Sequence, residues 1–307
     1  VLDYTLLSAL AAVVRTGSFE RAAQQLNVTP SAVSQRIKLL EERIGTVLVI
    51  RGQPCLATEA GQRLCQHVEQ VALLESSLRQ SLPGLEPETG PVTLRLAVNA
   101  DSLATWFIPA MAETEGFLFD LVVDDQDHSA EWLRQGEVVA AVTSYGKPIQ
   151  GCNCYPLGNL KYLATASPGY VERWLPDGLN EQSAARAPCL VFNQKDQLQA
   201  IWLRRALGVD VRPPVHWLPS SQAFVDAALA GLGWGMNLDT TVQEHIRAGR
   251  LVALEPSEQL EVPLFWQQSR IVGPLLTDVT RAVLTTARAM LAPMPTQRLA
   301  HQSLPSS

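Results

Sequence analysis

Several features that would mark other kinds of protein are missing from this sequence. No run approaches the roughly 18 to 20 apolar residues of a membrane-spanning helix, so no membrane is expected as a partner. The five cysteines, at positions 55, 65, 152, 154 and 189, are odd in number and show no C-x-x-C spacing. That argues against a zinc site and fits reduced thiols in a cytoplasm. Cys152-Asn-Cys154 is either incidental or redox-active, and no function is assigned to it. The five histidines (67, 128, 216, 245 and 301) are scattered, with no metal-spaced pair, and there is no G-x-S-x-G. Gly231-x-Gly-x-Gly235 leads into a strand, not a helix, so it is not a dinucleotide fingerprint. An enzyme is therefore not expected, nor any metal or cofactor. The apolar stretch Leu6 to Val14 has nothing basic before it and ends at Arg15, so it reads as a packed helix and not a secretory leader. The chain begins at Val1 and not Met, which leaves room for residues ahead of it.

A surplus of positive charge is also lacking. The net charge is −6 over 307 residues, and within residues 1–60 six Lys/Arg face five Asp/Glu. Local binding to a polyanion remains open, but a near-neutral segment would gain from doubling in a dimer. The 47% hydrophobic content is ample for folding, and the length suits two or three domains.

What is present begins at Ser18. Phe19, Ala22, Ala23 and Leu26 follow the spacing of a helix with one buried face, and Ser18 stands at its cap. Asn27-Val-Thr29 turns the chain, and Pro30 starts a second helix capped by Thr29. Val33, Ile37, Leu40 and Ile44 form its core face. The opposite face carries Ser31, Gln35 and Lys38, flanked by Ser34 and Arg36. It is either the reading face of a DNA-binding helix-turn-helix or the solvated face of an ordinary hairpin. Residues 46–51 and 55–57 then read as a two-stranded wing, whose Arg51 is either a phosphate contact or a solvated side chain.

Thr58 caps a long helix expected to reach Leu82. Leu64, Val68, Val71, Leu74, Leu78 and Leu82 form a narrow seam on it, which pairs with a second helix in a dimer or packs on the chain's own domain. Glu86 to Pro91 is a linker. Beyond it, strands at 92–98, 117–123, 138–142, 162–166, 190–192, 235–238 and 251–254 alternate with helices near 102–113, 127–135, 197–207, 221–231, 240–249 and 275–291. The alternation points to an α/β region of two lobes with largely parallel sheets and a ligand at the carboxyl ends of the strands.

Ala22-Ala23-x-x-Leu26, Ser31-Ala-Val-Ser34, Ile37, Leu40-Glu41 and Thr58-Glu-Ala-Gly61, in this layout, resemble the LysR-type transcriptional regulators over about residues 2–293. The resemblance implies a winged helix-turn-helix over 1–57, a linker and dimerisation helix with hinge over 58–90, and an effector domain over 91–307 like those of periplasmic binding proteins. Lobe I would take about 91–163 and 266–293, and lobe II about 164–265. Phe19 to Ala23, Ser31 to Ile37, Leu96 to Trp106 and Arg134 to Val139 are similar to the branch that answers to arginine and lysine and controls basic amino-acid exporters. Some of that branch are also named inhibitors of chromosome replication initiation. The implied partners are double-stranded promoter DNA, a small effector, RNA polymerase, and further copies of the chain in a homodimer or homotetramer. The wing, Arg51-Gly-Gln-Pro-Cys-Leu56, lacks a second basic residue that relatives often carry.

The DNA-binding candidates are thus Ser31, Ser34, Gln35, Arg36, Lys38 and Arg51. An amino-acid effector with a basic side chain needs donors for its carboxylate and acids for its cations. Asn99 and Ser102, at a strand-to-helix junction, are candidates for the carboxylate, with capping by Asp101 or Ser102 as the simpler role. Ser220 and Ser221 offer similar geometry. Asp124 and Asp125 are candidates for the cation or are plainly solvated, and Thr143 and Ser144 would line the same cleft. Trp106 either walls the pocket or anchors its helix. A pure solute-binding protein leaves residues 1–82 unexplained, and a family member answering to another metabolite is the alternative.

Overall fold

The computed structural model describes residues 2–81, 92–123 and 129–294. It divides into two compact units, residues 1–92 with 271–275, and residues 93–270 with 276–307.

In the first unit α1 (Tyr4–Thr16), α2 (Phe19–Gln25) and α3 (Pro30–Ile44) are followed by the wing strands β1 (Val49–Ile50) and β2 (Leu56–Ala57) and by α4 (Glu59–Ser81). Each of the first three helices starts on a side-chain cap: Asp3 accepts from the Thr5 amide, Ser18 from Arg21 and Thr29 from Ala32. The core joins Leu7, Leu10 and Val13 of α1 to Ala22 and Ala23 of α2 and to Val33, Ile37 and Leu40 of α3, with Phe19 and Leu26 packed against it. The seam of α3 stops one turn early. Ile44, the last residue before the Gly45 cap, is 39% exposed.

The wing is tied to this core by Glu41, whose carboxylate accepts from the Leu48 and Val49 amides at 2.8 and 3.3 Å. Thr58 then caps α4 by accepting from the Gly61 amide, while its own amide donates to the Leu48 carbonyl. A Cβ on Gly61 would lie 2.1 Å from that carbonyl oxygen, so the Thr58-Glu-Ala-Gly61 motif needs glycine for close approach. Along α4, Leu64 and Val68 pack on the core, while Leu74 and Leu78 are exposed. Leu82 lies outside the described residues.

The second unit runs β3 (Val92–Val98), α5 (Ala100–Ser102), a π-helical turn (Leu103–Phe107), α6 (Ile108–Ala112), β4 (Phe117–Val123), α7 (Ser129–Arg134), β5 (Ala140–Thr143) and β6 (Cys152–Ala166). It continues through α8 (Pro168–Trp174), α9 (Glu181–Ala184), β7 (Cys189–Val191), α10 (Leu198–Leu207), β8 (Val215–Trp217), α11 (Ser221–Leu229) and β9 (Gly235–Leu238). The last elements are α12 (Asp239–Arg247), β10 (Val252–Ala253), β11 (Leu260–Ser269) and α13 (Thr277–Met290). One sheet has the order β10-β6-β11-β5-β3-β4, with β9 also on β6.

The expectation of largely parallel sheets is corrected here. β3 with β5 and β7 with β8 are parallel, but β6 pairs antiparallel with β9, β10 and β11, and β11 antiparallel with β5. β6 and β11 are the cause. They are 15 and 10 residues long, and they run from the β3–β5 lobe into the lobe of α8–α12 as a two-stranded spine. Each lobe has its own aromatic anchor. Trp106 and Trp266 flank Phe107 in the first, and Trp202 meets Trp234 at 5.1 Å between ring centroids in the second. Trp106 is therefore buried as a helix anchor.

Gly61→Ala should lower the thermal midpoint of the first unit by the equivalent of about 1–3 kcal/mol, the usual cost of forcing a carbon into a filled site. Alanine's better helix propensity would give the opposite sign, so a raised or unchanged midpoint in calorimetry of the full chain would contradict the close-approach explanation.

Candidate functional site

In the second unit a cavity of about 800 Å³, counted to its mouth, opens between the two lobes. One wall comes from α5 and the π turn, through Asn99, Asp101 and Thr105. The other comes from Phe192, Asp196, Ser221, Phe224 and Asn237.

Asp101 is the centre of this wall. It lies in the first turn of the helix that Asn99 begins, where no side-chain cap bond is made. One carboxylate oxygen accepts from the Ser221 hydroxyl and the other from the Tyr162 hydroxyl, both at 2.6 Å. Tyr162 stands on the spine strand β6, and Ser221 opens α11 in the second lobe. Burial raises the Asp101 pKa above its ordinary 3.8, and the negative charge of Asp196 raises it further, against the opposing effect of the two hydroxyl donors. The Thr105 hydroxyl donates back to the Asp101 carbonyl at 2.6 Å, which steadies the π turn lining the same cavity.

Asp196 is held differently. Its carboxylate accepts from the amides of Phe192 and Leu198 and from the Gln199 side chain, at 3.0, 3.0 and 3.2 Å. Those bonds fold the loop after β7 so that a second acid lines the cavity. No lysine, arginine or histidine is among the lining residues. The remaining surface is apolar (Phe192, Leu198, Phe224, Met236) with neutral donors and acceptors.

Of the effector candidates named from sequence, Asn99 and Ser221 line this cavity. Ser102 is wholly buried, and its hydroxyl has no hydrogen-bond partner among the described residues. Ser220 caps α11 by accepting from the Ala223 amide, and Thr143 is buried and accepts from the Tyr145 amide. Ser102, Ser220, Thr143 and Ser144 are not lining residues. Asp124 and Asp125 lie outside the described residues. Asp101, weighed from sequence only as a cap, and Asp196, not weighed at all, are the acids that the fold brings to the cavity. The signal for Asp101 was its place at the first strand-to-helix junction. Asp196 carried none, since its position depends on how a loop folds.

In the first unit Ser31, Gln35 and Lys38 are exposed on α3, as is Arg51 on the wing, while Ser34 and Arg36 are half-buried. The Ser31 hydroxyl lies 3.0 Å from that of Thr29. Lys38 lies 3.8 Å from Glu42, a surface ion pair worth little in water and readily exchanged for another partner. Together these side chains give α3 a polar face with Ser31, Gln35 and Lys38 open to solvent.

Residues 4–62 match the bacterial regulatory helix-turn-helix protein pattern of the lysR family, and residues 90–288 match the LysR substrate binding domain. The HTH-type transcriptional regulator ArgP of Pseudomonas fluorescens (strain Pf0-1) is 42% identical over 297 residues, 96% of this chain and all of that one. The crystal structure of ArgP from Mycobacterium tuberculosis superposes with a TM-score of 0.80 at 41% identity, covering 96% of this chain and 100% of the other. Full-length LysG from Corynebacterium glutamicum with bound effector Arg gives a TM-score of 0.69 at 36% identity, covering 95% and 100%. The winged unit and the lobed unit are thus the two parts of one kind of regulator, not of an enzyme. The chain belongs to the LysR family of bacterial transcriptional regulators, which bind DNA and are modulated by a small effector.

Proposed function

We propose that the effector is a basic amino acid, arginine or lysine, and that the regulator acts at the promoter of a basic amino-acid exporter gene. The carrying observation is the charge of the cavity: two carboxylates, Asp101 and Asp196, line it, and no cationic side chain does so among the described residues. Such a site favours a ligand with net positive charge and works against an anionic metabolite. Arginine has two cations and one carboxylate. Asp101 and Asp196 receive the cations, while the Asn99 side-chain amide and the backbone amides at the start of α11 are the donors for the carboxylate. The arginine bound to the LysG relative supports the same chemistry.

On the DNA side, Gln35 and Lys38 with Ser31, Ser34 and Arg36 form the reading face, and Arg51 touches the backbone from the wing. Residues 1–57, 58–90 and 91–307 serve as reader, dimerisation helix with hinge, and effector domain. The exposed Leu74 and Leu78 of α4 support pairing of two copies through that helix, and pairs of dimers give the tetramer. The protein works in the cytoplasm, where its promoter and RNA polymerase are. Effector binding favours one arrangement of the lobes over another, and that difference is what the promoter responds to.

Asp101→Asn and Asp196→Asn should each weaken arginine and lysine binding to the full-length protein at least ~tenfold, about 1.4 kcal/mol, by calorimetry. Wild-type affinity in both variants, or tight binding of a dianion such as succinate by the native protein, would remove the cationic effector. For the reading face, Gln35→Ala with Lys38→Ala should lower promoter affinity and flatten its discrimination against unrelated DNA. An unchanged footprint and affinity would move recognition elsewhere.

A further inference from the structure

The wing and the turn between α1 and α2 are in direct contact. The Cys55 amide donates to the Gly17 carbonyl at 2.9 Å, and a Cβ on Gly17 would stand 2.8 Å from the Pro54 Cβ. Gly17 also has φ +66°, so glycine is required there twice over. With no side chain between them, turn and wing form the two banks of an open cleft lined by Ser18, Phe19, Glu20, Arg21, Arg51 and Gln53 among others.

Two guanidinium groups share this cleft. Arg51 comes from the wing and lies over the Phe19 ring, 5.3 Å from its centroid, which holds the side chain without neutralising it. Arg21 comes from α2, and its Nη2 reaches back to 3.8 Å from where a Gly17 Cβ would be. Both are exposed, and neither has an ion pair among the described residues. Elsewhere in this unit Lys38, Arg43 and Arg63 stand beside Glu42, Asp3 and Glu59. The one acid in the cleft, Glu20, accepts from the Ser18 hydroxyl at 2.7 Å, a bond that holds its pKa below the ordinary range and engages its carboxylate locally.

We infer that Arg21 contacts a DNA backbone phosphate, sharing the cleft with Arg51, so that one strand of the duplex is gripped from α2 and from the wing at once. Arg21 stands on α2, the helix before α3, and in this class of motif the helix preceding the reading helix crosses the backbone. Two guanidinium groups lining one cleft, one of them lying over an aromatic ring, are suited to a phosphodiester, which they bind through paired N–H donors. The contact is independent of base sequence and fixes how deeply α3 enters the groove. It draws on DNA binding by the family and not on which residues of α3 read bases.

The test is promoter affinity of the full-length protein across a range of salt, for the native chain, Arg21→Gln, Arg51→Gln and the double variant. Each single change should reduce the slope of log K against log salt by about one, and the double by about two, with footprint edges and site preference kept. A native slope in Arg21→Gln, with a native melting curve, would overturn the inference, as would a change in base preference. Inorganic phosphate at matched ionic strength should displace DNA no better than chloride. Displacement specific to phosphate and abolished by Arg21→Gln would assign the cleft to a free anion instead.

Discussion

The carboxylate of Asp101 is the point at which the effector unit is held together across its lobes. It takes a hydroxyl from Tyr162, 61 residues on, and another from Ser221, 120 residues on, both at 2.6 Å. One bond fixes α5 to the spine strand and the other fixes the second lobe to the first. A buried carboxylate with two neutral donors is satisfied in hydrogen bonds but not in charge. Burial and the neighbouring Asp196 leave it above its ordinary pKa. The folded unit therefore binds a proton more readily than the unfolded chain does, and it loses stability as pH rises from 3.8 through the raised value. A cation entering the cavity supplies the counter-charge that the protein withholds. In the proposed function this is why the ligand's charge matters more than its shape.

The spine makes this possible. β6 and β11 pair over 10 residues of β11, with a register shift at Leu264/Phe265, and carry the lobes at their two ends. Gln267, buried in β11, accepts from the Ile149 amide and donates to the Tyr145 and Lys147 carbonyls, which clips the loop after β5 onto the spine. Asn159 donates to Glu261 across the same pair at 2.7 Å. The lobes are thus connected by two long strands paired along 10 residues, and two side-chain bonds, to Asp101, join them across the cavity wall.

Much of the first unit was legible because its signals are local. Caps at Ser18 and Thr29, proline at position 30 and a helical stripe through Val33, Ile37 and Leu40 are read within one element. The spine was not legible. Residues 152–161 contain Pro156, Gly158 and two asparagines, and residues 260–269 contain Pro263 and two glutamines, so neither looks like a strand until its partner is known. Six shorter strands around them and the end of β6, residues 162–166, were visible, and from those alone the alternation suggested parallel pairing. In the site, Asn99 and Ser221 were legible from their places at helix starts. Asp101 looked like a cap, since aspartate in a first turn usually is one. Its true partners are set by tertiary folding, and so is the loop that delivers Asp196.

In the proposed function the Asp101 carboxylate is the counter-charge of a cationic effector, which therefore competes with the proton whose binding burial favours there. Calorimetry of arginine binding in buffers of different ionisation enthalpy measures the protons exchanged. At a pH between 3.8 and the raised pKa, binding should release protons from the native protein, with affinity rising as pH rises, and Asp101→Asn should abolish the release. Arginine binding with no proton release and no pH dependence across that window would contradict the account.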